Sequence, residues 1–232
     1  MNFLAIVQRL KRESGRSSNA IASPASFATA TVDDQRLIDA ASDAWLEILR
    51  EPYKWRWRRR TATPVAVAVG LKTYTSSDLG VAGEIWRLKR PSLYYAPTMY
   101  VDGQLGTEWA LDWIEYDEYR ARYVATYTDD AQPLHWSVSP TEELLIGPGP
   151  SQAYMLRFDY YTAANPLVDE TDAPDMPVEY HPLVVWRALM DVAAIDAAPE
   201  VYTRAMNNYN KMLNALIRDE AEDLGFELGS LA

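Results

Sequence analysis

The sequence contains no cysteine, and this absence excludes several classes of protein at once. Without cysteine the chain can form no disulfide, no thiolate nucleophile, no zinc finger and no cysteine-ligated iron–sulfur cluster. Long hydrophobic runs are missing too, since no apolar stretch approaches the roughly 18 residues that a membrane span needs. The apolar run near the start, Phe3 to Val7, is short and follows no basic segment. We therefore expect no signal peptide and no membrane partner.

The local motifs of common enzyme classes are also missing. The sequence has no G-x-S-x-G nucleophile elbow, no G-x-x-x-x-G-K-[ST] phosphate loop and no G-x-G-x-x-G dinucleotide turn. Two of the 33 carboxylates could still meet in space and act as acid and base, as in glycoside hydrolysis. We predict a protein that is not an enzyme and has no cofactor, and a hydrolase with such a carboxylate pair remains an open alternative.

Metal-ligand spacing is missing as well. The two histidines, His135 and His181, lie 46 residues apart, and neither has a second histidine near it. His181 precedes Pro182 at a predicted helix start, where we expect a capping or packing role. Four carboxylates within residues 169–175 lack the loop glycine and the terminal glutamate of an EF-hand, so they indicate a solvated acidic loop. We predict no metal site.

What the sequence does contain is typical of a folded protein. Of its 232 residues 48% are hydrophobic, including 15 Tyr and 8 Trp, which is enough for a sizeable core. The net charge is −11, but residues 1–60 carry +4 and residues 61–232 carry −15. General DNA binding by the acidic part is disfavoured, because it would repel phosphate.

Both ends of the chain have the 3.6-residue period of amphipathic helices. A first helix is predicted at residues 3–14, capped by Asn2 and stopped by Gly15. Residues 15–31 indicate a loop. A second helix, capped by Asp33 or Asp34, follows to Pro52, with its body at 35–50. Near the C terminus the pattern predicts helices at 182–195 and 199–218.

The middle of the chain has the two-residue period and the β-branched and aromatic composition of strands. A helix near residues 113–123 is the predicted insertion, since Tyr116, Tyr119 and Tyr123 recur at helical spacing. Strands are predicted at 55–58, 65–69, 84–89, 98–101, 134–138, 143–146 and 153–161.

These patterns together predict an α+β fold in which the N- and C-terminal helices form a helical layer around a β-rich middle region. The domain organisation we expect is an N-terminal helical part at 1–54, a β-rich middle domain at 55–161, a C-terminal helical part at 162–219 and a flexible docking tail at 220–232. The helical layer should be packed around Trp45, Trp186 and Leu213.

The segment from Arg50 to Arg60 is the one concentrated basic feature, with two tryptophans set among its cations. One interpretation is a nucleic-acid-binding module in which the tryptophans stack on bases. The other is a strand with tryptophans inward and arginines outward, which pair with acidic residues of a neighbouring subunit. We favour the second, with the following residues at the interface: Lys54, Arg56, Arg58, Arg59 and Arg60.

Several segments resemble the head-to-tail adaptor, or connector, proteins of tailed bacteriophages, and in particular a podovirus-like tail adaptor family. In the first half these are Val7 to Gly15, Arg36 to Ile48 and Lys54 to Trp57. In the second half they are Pro174 to Pro177, Glu179 to Met190, Ala198 to Glu200 and Tyr209 to Arg218. The resemblance spans nearly the whole chain, and it departs at residues 15–31, where the family's loop is typically shorter or richer in glycine.

The resemblance implies a structural virion protein at the portal vertex, made in the cytoplasm of the host bacterium. Its subunits would form a cyclic homo-oligomer, commonly a dodecamer, between the portal protein and a tail tube or nozzle protein, with attachment of tail fibres left open. Double-stranded DNA would pass through the ring without specific binding. The C-terminal tail would become ordered on the portal, with four apolar anchors: Leu224, Phe226, Leu228 and Leu231.

Overall fold

The computed structural model describes residues 1–15, 24–50, 53–81, 96–126, 129–162 and 165–221, together with the backbone of 83–84. The chain divides into two compact units. One, the helical unit, contains the described residues of 1–57 and 164–223. The other, the β unit, contains those of 58–163. The predicted α+β class is confirmed, and both ends of the chain contribute to the same helical unit.

The first helix, α1, spans Phe3–Glu13 and has the predicted caps. The Asn2 side chain accepts a hydrogen bond from the Ala5 amide at 3.0 Å, which satisfies one of the unpaired amides of the first turn. Gly15 follows the helix with φ of 75°, a conformation that glycine adopts without steric cost. The buried residues of α1 lie on one face: Phe3, Ile6, Val7 and Leu10.

The second helix, α2, spans Val32–Arg50 and begins before the predicted cap. The capping residue is Thr31, not Asp33 or Asp34. The Asp34 amide donates to Thr31 Oγ1 at 3.3 Å, and the Thr31 amide donates to the Asp34 carboxylate at 3.0 Å. This reciprocal pair is a capping box with aspartate at the third helical position.

The C-terminal helices are α4, Pro182–Ile195, and α5, Pro199–Glu220, each with proline at its first position. α5 is therefore two residues longer than predicted. Helix α4 packs against α1, α2 and α5, and most of its apolar residues between Leu183 and Ala193 are buried. One hydrophobic cluster runs through these four helices, so the helical unit has a single core supplied by both chain ends. Two 3₁₀ turns, Phe27–Thr29 and Val178–Tyr180, accompany them.

The β unit contains short strands arranged in three sheets. In chain order the strands are β1 Arg59–Thr61, β2 Val65–Val67, β3 Thr73–Tyr74, β4 Gly83–Glu84, β5 Thr98–Val101, β6 Gln104–Ala110, β7 Asp112–Trp113, β8 His135–Val138, β9 Leu144–Gly147, β10 Tyr154–Arg157 and β11 Asp159–Thr162. Their orders are β1-β11-β4, β2-β10-β5-β6 and β3-β9-β8-β7. All pairs are antiparallel except β7 with β8.

The predicted strand at 153–161 is in fact two strands. Alternation holds through Tyr154, Leu156 and Phe158, which are all buried. It then shifts, because Phe158 lies between β10 and β11, and Tyr161 is buried instead of Tyr160. The prediction of one alternating strand was therefore wrong beyond Phe158. Of the predicted strand at 84–89, residues 85–89 lie outside the described residues.

The predicted inserted helix is present but starts later. Trp113 belongs to β7, and the helix α3 spans Tyr116–Tyr119 before widening into a π-helical turn at Arg120–Val124. Tyr119 is buried and donates from its hydroxyl to the Ile146 carbonyl at 3.0 Å. Burial raises the pKa of Tyr119 to about 12, so the phenol keeps its proton and acts as a donor at neutral pH.

Candidate assembly surfaces

The segment from Trp55 to Thr61 does not form the predicted continuous strand. Residues Arg56–Arg58 form a 3₁₀ turn, and the strand β1 starts only at Arg59. Trp55 and Trp57 do point inward, with their rings stacked at 4.6 Å and an interplanar angle of 18°. The indole of Trp55 donates to the Ile48 carbonyl of α2 at 3.3 Å. The tryptophans are therefore part of the helical core and cannot stack on bases.

Arg58 does not point outward as the predicted strand would require. Its side chain is 2% exposed, and its Nε and Nη2 donate to the Thr162 carbonyl at 3.2 and 2.5 Å. The Thr162 hydroxyl donates in turn to the Arg58 carbonyl at 3.3 Å. The turn brings Arg58 inward because three residues per turn replace the two-residue alternation of a strand.

Arg59 forms an ion pair across the β1 and β11 strands of its own chain. Its Nε donates to the Asp159 carboxylate at 2.8 Å, and Nη2 contacts the same carboxylate. Both side chains are mostly buried, which makes this charge-assisted pair directional. The acidic partner that we predicted on a neighbouring subunit is, for Arg59, present within the chain.

The other predicted interface cations are more accessible. Arg56 and Arg60 are exposed, and Lys54 is half-buried. Arg60 also donates to the Arg59 carbonyl at 2.9 Å. That these three residues contact a neighbouring subunit stays a prediction. It applies best to Arg56 and Arg60, because these two are exposed.

The three residues predicted at the centre of the helical layer differ in depth. Trp45 is completely buried, and its indole donates to the Asn165 carbonyl at 2.8 Å. Trp186 and Leu213 are half-buried and pack against the same cluster from its edge. The guanidinium of Arg9 lies 5.9 Å from the centre of the Trp186 ring. Trp45 is therefore the central residue of the three.

The two histidines have structural partners. His181 is buried, with Nε2 at 3.0 Å from the Met176 carbonyl and Nδ1 at 2.6 Å from the Met1 amino group, and it makes no side-chain cap. His135 Nδ1 lies 2.6 Å from the Tyr123 hydroxyl. Within the described residues no three His, Asp or Glu side chains come together as a metal site would require.

The acidic segment at 169–175 has exposed carboxylates at Asp169 and Asp175, as predicted, and its backbone also contacts the start of α1. The Asp172 and Glu170 carbonyls accept from the first amides of α1, those of Phe3 and Leu4, at 2.6 and 3.1 Å. The Glu170 carboxylate accepts from the Phe27 amide at 3.1 Å. Hydrogen bonds from the Val168 and Asp169 amides lower the pKa of Asp172. The segment thus holds the N-terminal end of α1 in place.

Sequence reasoning missed a buried ion pair in the helical unit. Asp34 is 2% exposed and accepts from Lys11 Nζ at 2.6 Å and from the Thr31 hydroxyl at 2.8 Å. Burial acts to raise the pKa of Asp34, but the bonds from Lys11 and Thr31 outweigh it and lower that pKa. The pattern Thr31-x-x-Asp34 was an available signal for the cap, since [ST]-x-x-[DE] marks a helix start, but it gives no signal for the pairing with Lys11.

The predicted docking anchors Leu224, Phe226, Leu228 and Leu231 lie outside the described residues. No helix among those that the structure describes is long and apolar enough to cross a membrane.

The basic segment is thus divided between Arg58 and Arg59, which hold the fold, and the exposed cations Arg56 and Arg60. The SU10 adaptor protein family model matches residues 1–226, and the chain belongs to this family of phage head-to-tail adaptors. It is accordingly a structural phage protein and a component of the virion. No curated protein matches the sequence significantly.

Proposed function

We propose that the chain is the subunit of a closed ring, a dodecamer, between the portal and the tail tube or nozzle. The ring surrounds the channel through which double-stranded DNA leaves the capsid. In this proposal the subunit is made in the cytoplasm of the host bacterium, the virion is podovirus-like, and tail fibres are a further candidate partner. Membership of the head-to-tail adaptor family is the observation that carries the proposal.

The surface chemistry of the chain supports contacts between unlike surfaces. Arg56 and Arg60 are exposed cations in a protein with a net charge of −11, so acidic surface is abundant on every neighbouring copy. A contact between two different patches of the same chain is heterologous, and it closes into a ring when the rotation between copies allows. The same net negative charge limits adhesion of DNA in the channel.

The alternative function, a nucleic-acid module built on residues 50–60, loses most of its support. Trp55 and Trp57 are buried, Arg58 binds the Thr162 carbonyl, and Arg59 pairs with Asp159. Only part of the basic segment is available to phosphate. This alternative would regain support only if the chain bound DNA with a high, salt-sensitive affinity that depends on Arg56 and Arg60.

Ring formation is tested by size-exclusion chromatography with light scattering and by negative-stain microscopy of the purified chain, alone and with portal protein. We expect closed rings when the portal is present. Only monomers or open filaments in both samples would contradict the proposal.

Reversing the exposed cations should block ring assembly. The double variant Arg56→Glu/Arg60→Glu places carboxylates against the acidic surface of the next copy, so we expect no rings but an unchanged circular dichroism spectrum. Arg58 and Arg59 are left intact because they hold the fold. The matched control, Arg36→Glu/Arg120→Glu, changes the net charge equally at exposed sites elsewhere and should still form rings. If the Arg56→Glu/Arg60→Glu variant still formed rings, these two cations would not be part of the subunit interface.

Removal of the C-terminal tail should abolish binding to the portal. The truncation starts at residue 222, because Ala221 still pairs with Trp55. We expect the truncated chain to unfold at the same temperature as the wild type and to fail to co-elute with portal protein. A full-length control with serine at 224, 226, 228 and 231 should fail in the same way, since apolar anchors are what a partner groove would bind. Normal portal binding by the truncated chain would overturn the docking role.

A further inference from the structure

The last helix, α5, has an unusual exposed face for so acidic a protein. From Val201 to Arg218 the sequence contains no Asp or Glu, although the whole chain carries 33 of them. The exposed side chains in this stretch include three cations and three amides. These six residues, which we call the amide–cation face, are Arg204, Lys211, Arg218, Asn207, Asn210 and Asn214.

The helix geometry arranges the cations in a row. Arg204, Lys211 and Arg218 follow each other at intervals of seven residues, so each is displaced by only about 20° around the helix from the one before. At 1.5 Å per residue the row is about 21 Å long. Asn207 and Asn214 lie about 50° around the helix from the row, and Asn210 lies about 100° from it.

The contacts of the cations leave most of the row accessible. Arg204 donates to the Glu13 carbonyl at 2.8 Å and lies 3.4 Å from its carboxylate, yet its side chain remains 51% exposed. Arg218 lies 3.1 Å from Asp219 and is 76% exposed. Lys211 is also exposed. Lys211 and the exposed parts of the two guanidinium groups are therefore accessible, each arginine has a carboxylate beside it, and Glu200 and Glu220 lie at the ends of the same helix.

The composition of the face favours DNA over protein as its occupant. Stable protein interfaces have a core of apolar or aromatic residues and little lysine. Among the exposed side chains of α5 between Val201 and Arg218, Tyr202 is the one large apolar group, and it is 36% exposed. Cations and amides are the side chains that hydrogen-bond to phosphate oxygens without reading sequence. With the net charge of −11 opposing a tight complex, contacts made here would be weak and salt-sensitive.

We propose that the amide–cation face of α5 contacts the phosphate backbone of the double-stranded DNA that passes through the ring. This inference rests on the proposed function, because it requires DNA beside the subunit. In this inference α5 makes the sliding contact with the duplex. Its three cations and three amides bind phosphate groups whatever the DNA sequence, while the acidic remainder of the chain prevents tight binding of the DNA.

The test measures binding of a fluorescein-labelled 30-base-pair duplex to the full chain by fluorescence anisotropy at 50, 100 and 200 mM NaCl. If each cation of the row contacts one phosphate, wild-type affinity should fall about 40-fold over this range. In Arg204→Gln/Lys211→Gln/Arg218→Gln the log–log slope should fall by about one unit for each replaced cation that binds a phosphate in the wild type. The control Arg36→Gln/Arg120→Gln/Arg122→Gln makes the same change in net charge at exposed positions outside α5 and outside residues 50–60, and it should keep the wild-type slope.

A gain-of-binding variant guards against misfolding as the cause of weaker binding. Asn207→Lys/Asn214→Lys adds two cations beside the row and should raise both the affinity at 50 mM salt and the slope, by about two units if both contact phosphate. Equally weakened binding in the row variant and the control, no gain from the added lysines, or no binding by the wild type at 50 mM salt would each overturn the inference.

Ring formation is scored on the same samples, so that the two proposals can fail separately. If the row variant no longer assembles while the wild type does, the face belongs to a contact between subunits. That result overturns the inference about DNA but does not contradict the proposed ring. If the wild type forms no ring with portal, the proposed function fails, and the anisotropy comparison still decides whether the face binds DNA.

Discussion

Trp45→Ala should lower the free energy of unfolding of the helical unit by about 3–5 kcal/mol. The indole is completely buried among the four helices, and truncation leaves a cavity that the surrounding side chains cannot fill. The substitution also removes the donor to the Asn165 carbonyl. Urea titration followed by far-ultraviolet circular dichroism measures the effect, because the helical unit supplies most of the helical signal.

Two companion variants separate the packing of Trp45 from its hydrogen bond. Trp45→Phe keeps much of the apolar volume and should lower the free energy of unfolding by about 1–3 kcal/mol, chiefly because the Asn165 carbonyl loses its donor. Trp186→Ala truncates a half-buried ring at the edge of the same cluster and should cost about 1–2 kcal/mol. A larger effect of Trp186→Ala than of Trp45→Ala would contradict the order of burial.

Asp34→Ala should destabilise the helical unit by about 3 kcal/mol near neutral pH. The carboxylate accepts from Lys11 and from both the amide and the hydroxyl of Thr31, so its removal breaks a buried ion pair and the cap of α2 together. Thermal or urea unfolding at pH 7 measures the destabilisation. Lys11→Met/Asp34→Leu should cost less than the single Asp34→Ala, since it leaves no unpaired charge.

The same residue predicts a pH dependence. The pKa of Asp34 is lower in the folded chain than its ordinary value of 3.8. The carboxylate therefore contributes stability that is present above pH 3.8 and is lost as the pH falls through the lower folded pKa. The stability difference between wild type and Asp34→Ala should accordingly shrink below about pH 4. A difference that stays constant down to pH 2 would show that the charge of Asp34 is not what stabilises the cap.

The helices could be predicted from the sequence because their signals are local. Asn2, Gly15, Pro182 and Pro199 each mark a helix boundary through the geometry of a single residue. The start of α2 was misplaced because Asp33 and Asp34 looked like caps, while Thr31 caps the helix through a reciprocal bond with Asp34. The buried bond from Lys11 to Asp34 joins residues 23 apart, and no local pattern indicates such a pairing.

The structure of the segment from Trp55 to Thr61 was harder to predict, because two periods fit its sequence equally well. Alternating Trp and Arg satisfies a strand, yet a 3₁₀ turn also brings both tryptophans inward, and only the position of Arg58 distinguishes the two. What decides is the Thr162 carbonyl, which lies 104 residues away in sequence. The shift of burial from Tyr160 to Tyr161 likewise follows from the break between β10 and β11.

The division of the helical unit between the two ends of the chain has a consequence during synthesis. Helices α1 and α2 leave the ribosome first, but the apolar face that α4 covers stays open until the last quarter of the chain has been made. At about 5–20 residues per second the intervening β unit, roughly 100 residues, takes some 5–20 s to emerge. Over that interval the nascent chain exposes the apolar faces of α1 and α2, and the β unit completes its sheets only when β10 and β11 have emerged. Slower translation after α2, or shortage of a chaperone that binds apolar segments, should therefore lower the yield of soluble adaptor even when the finished protein is stable.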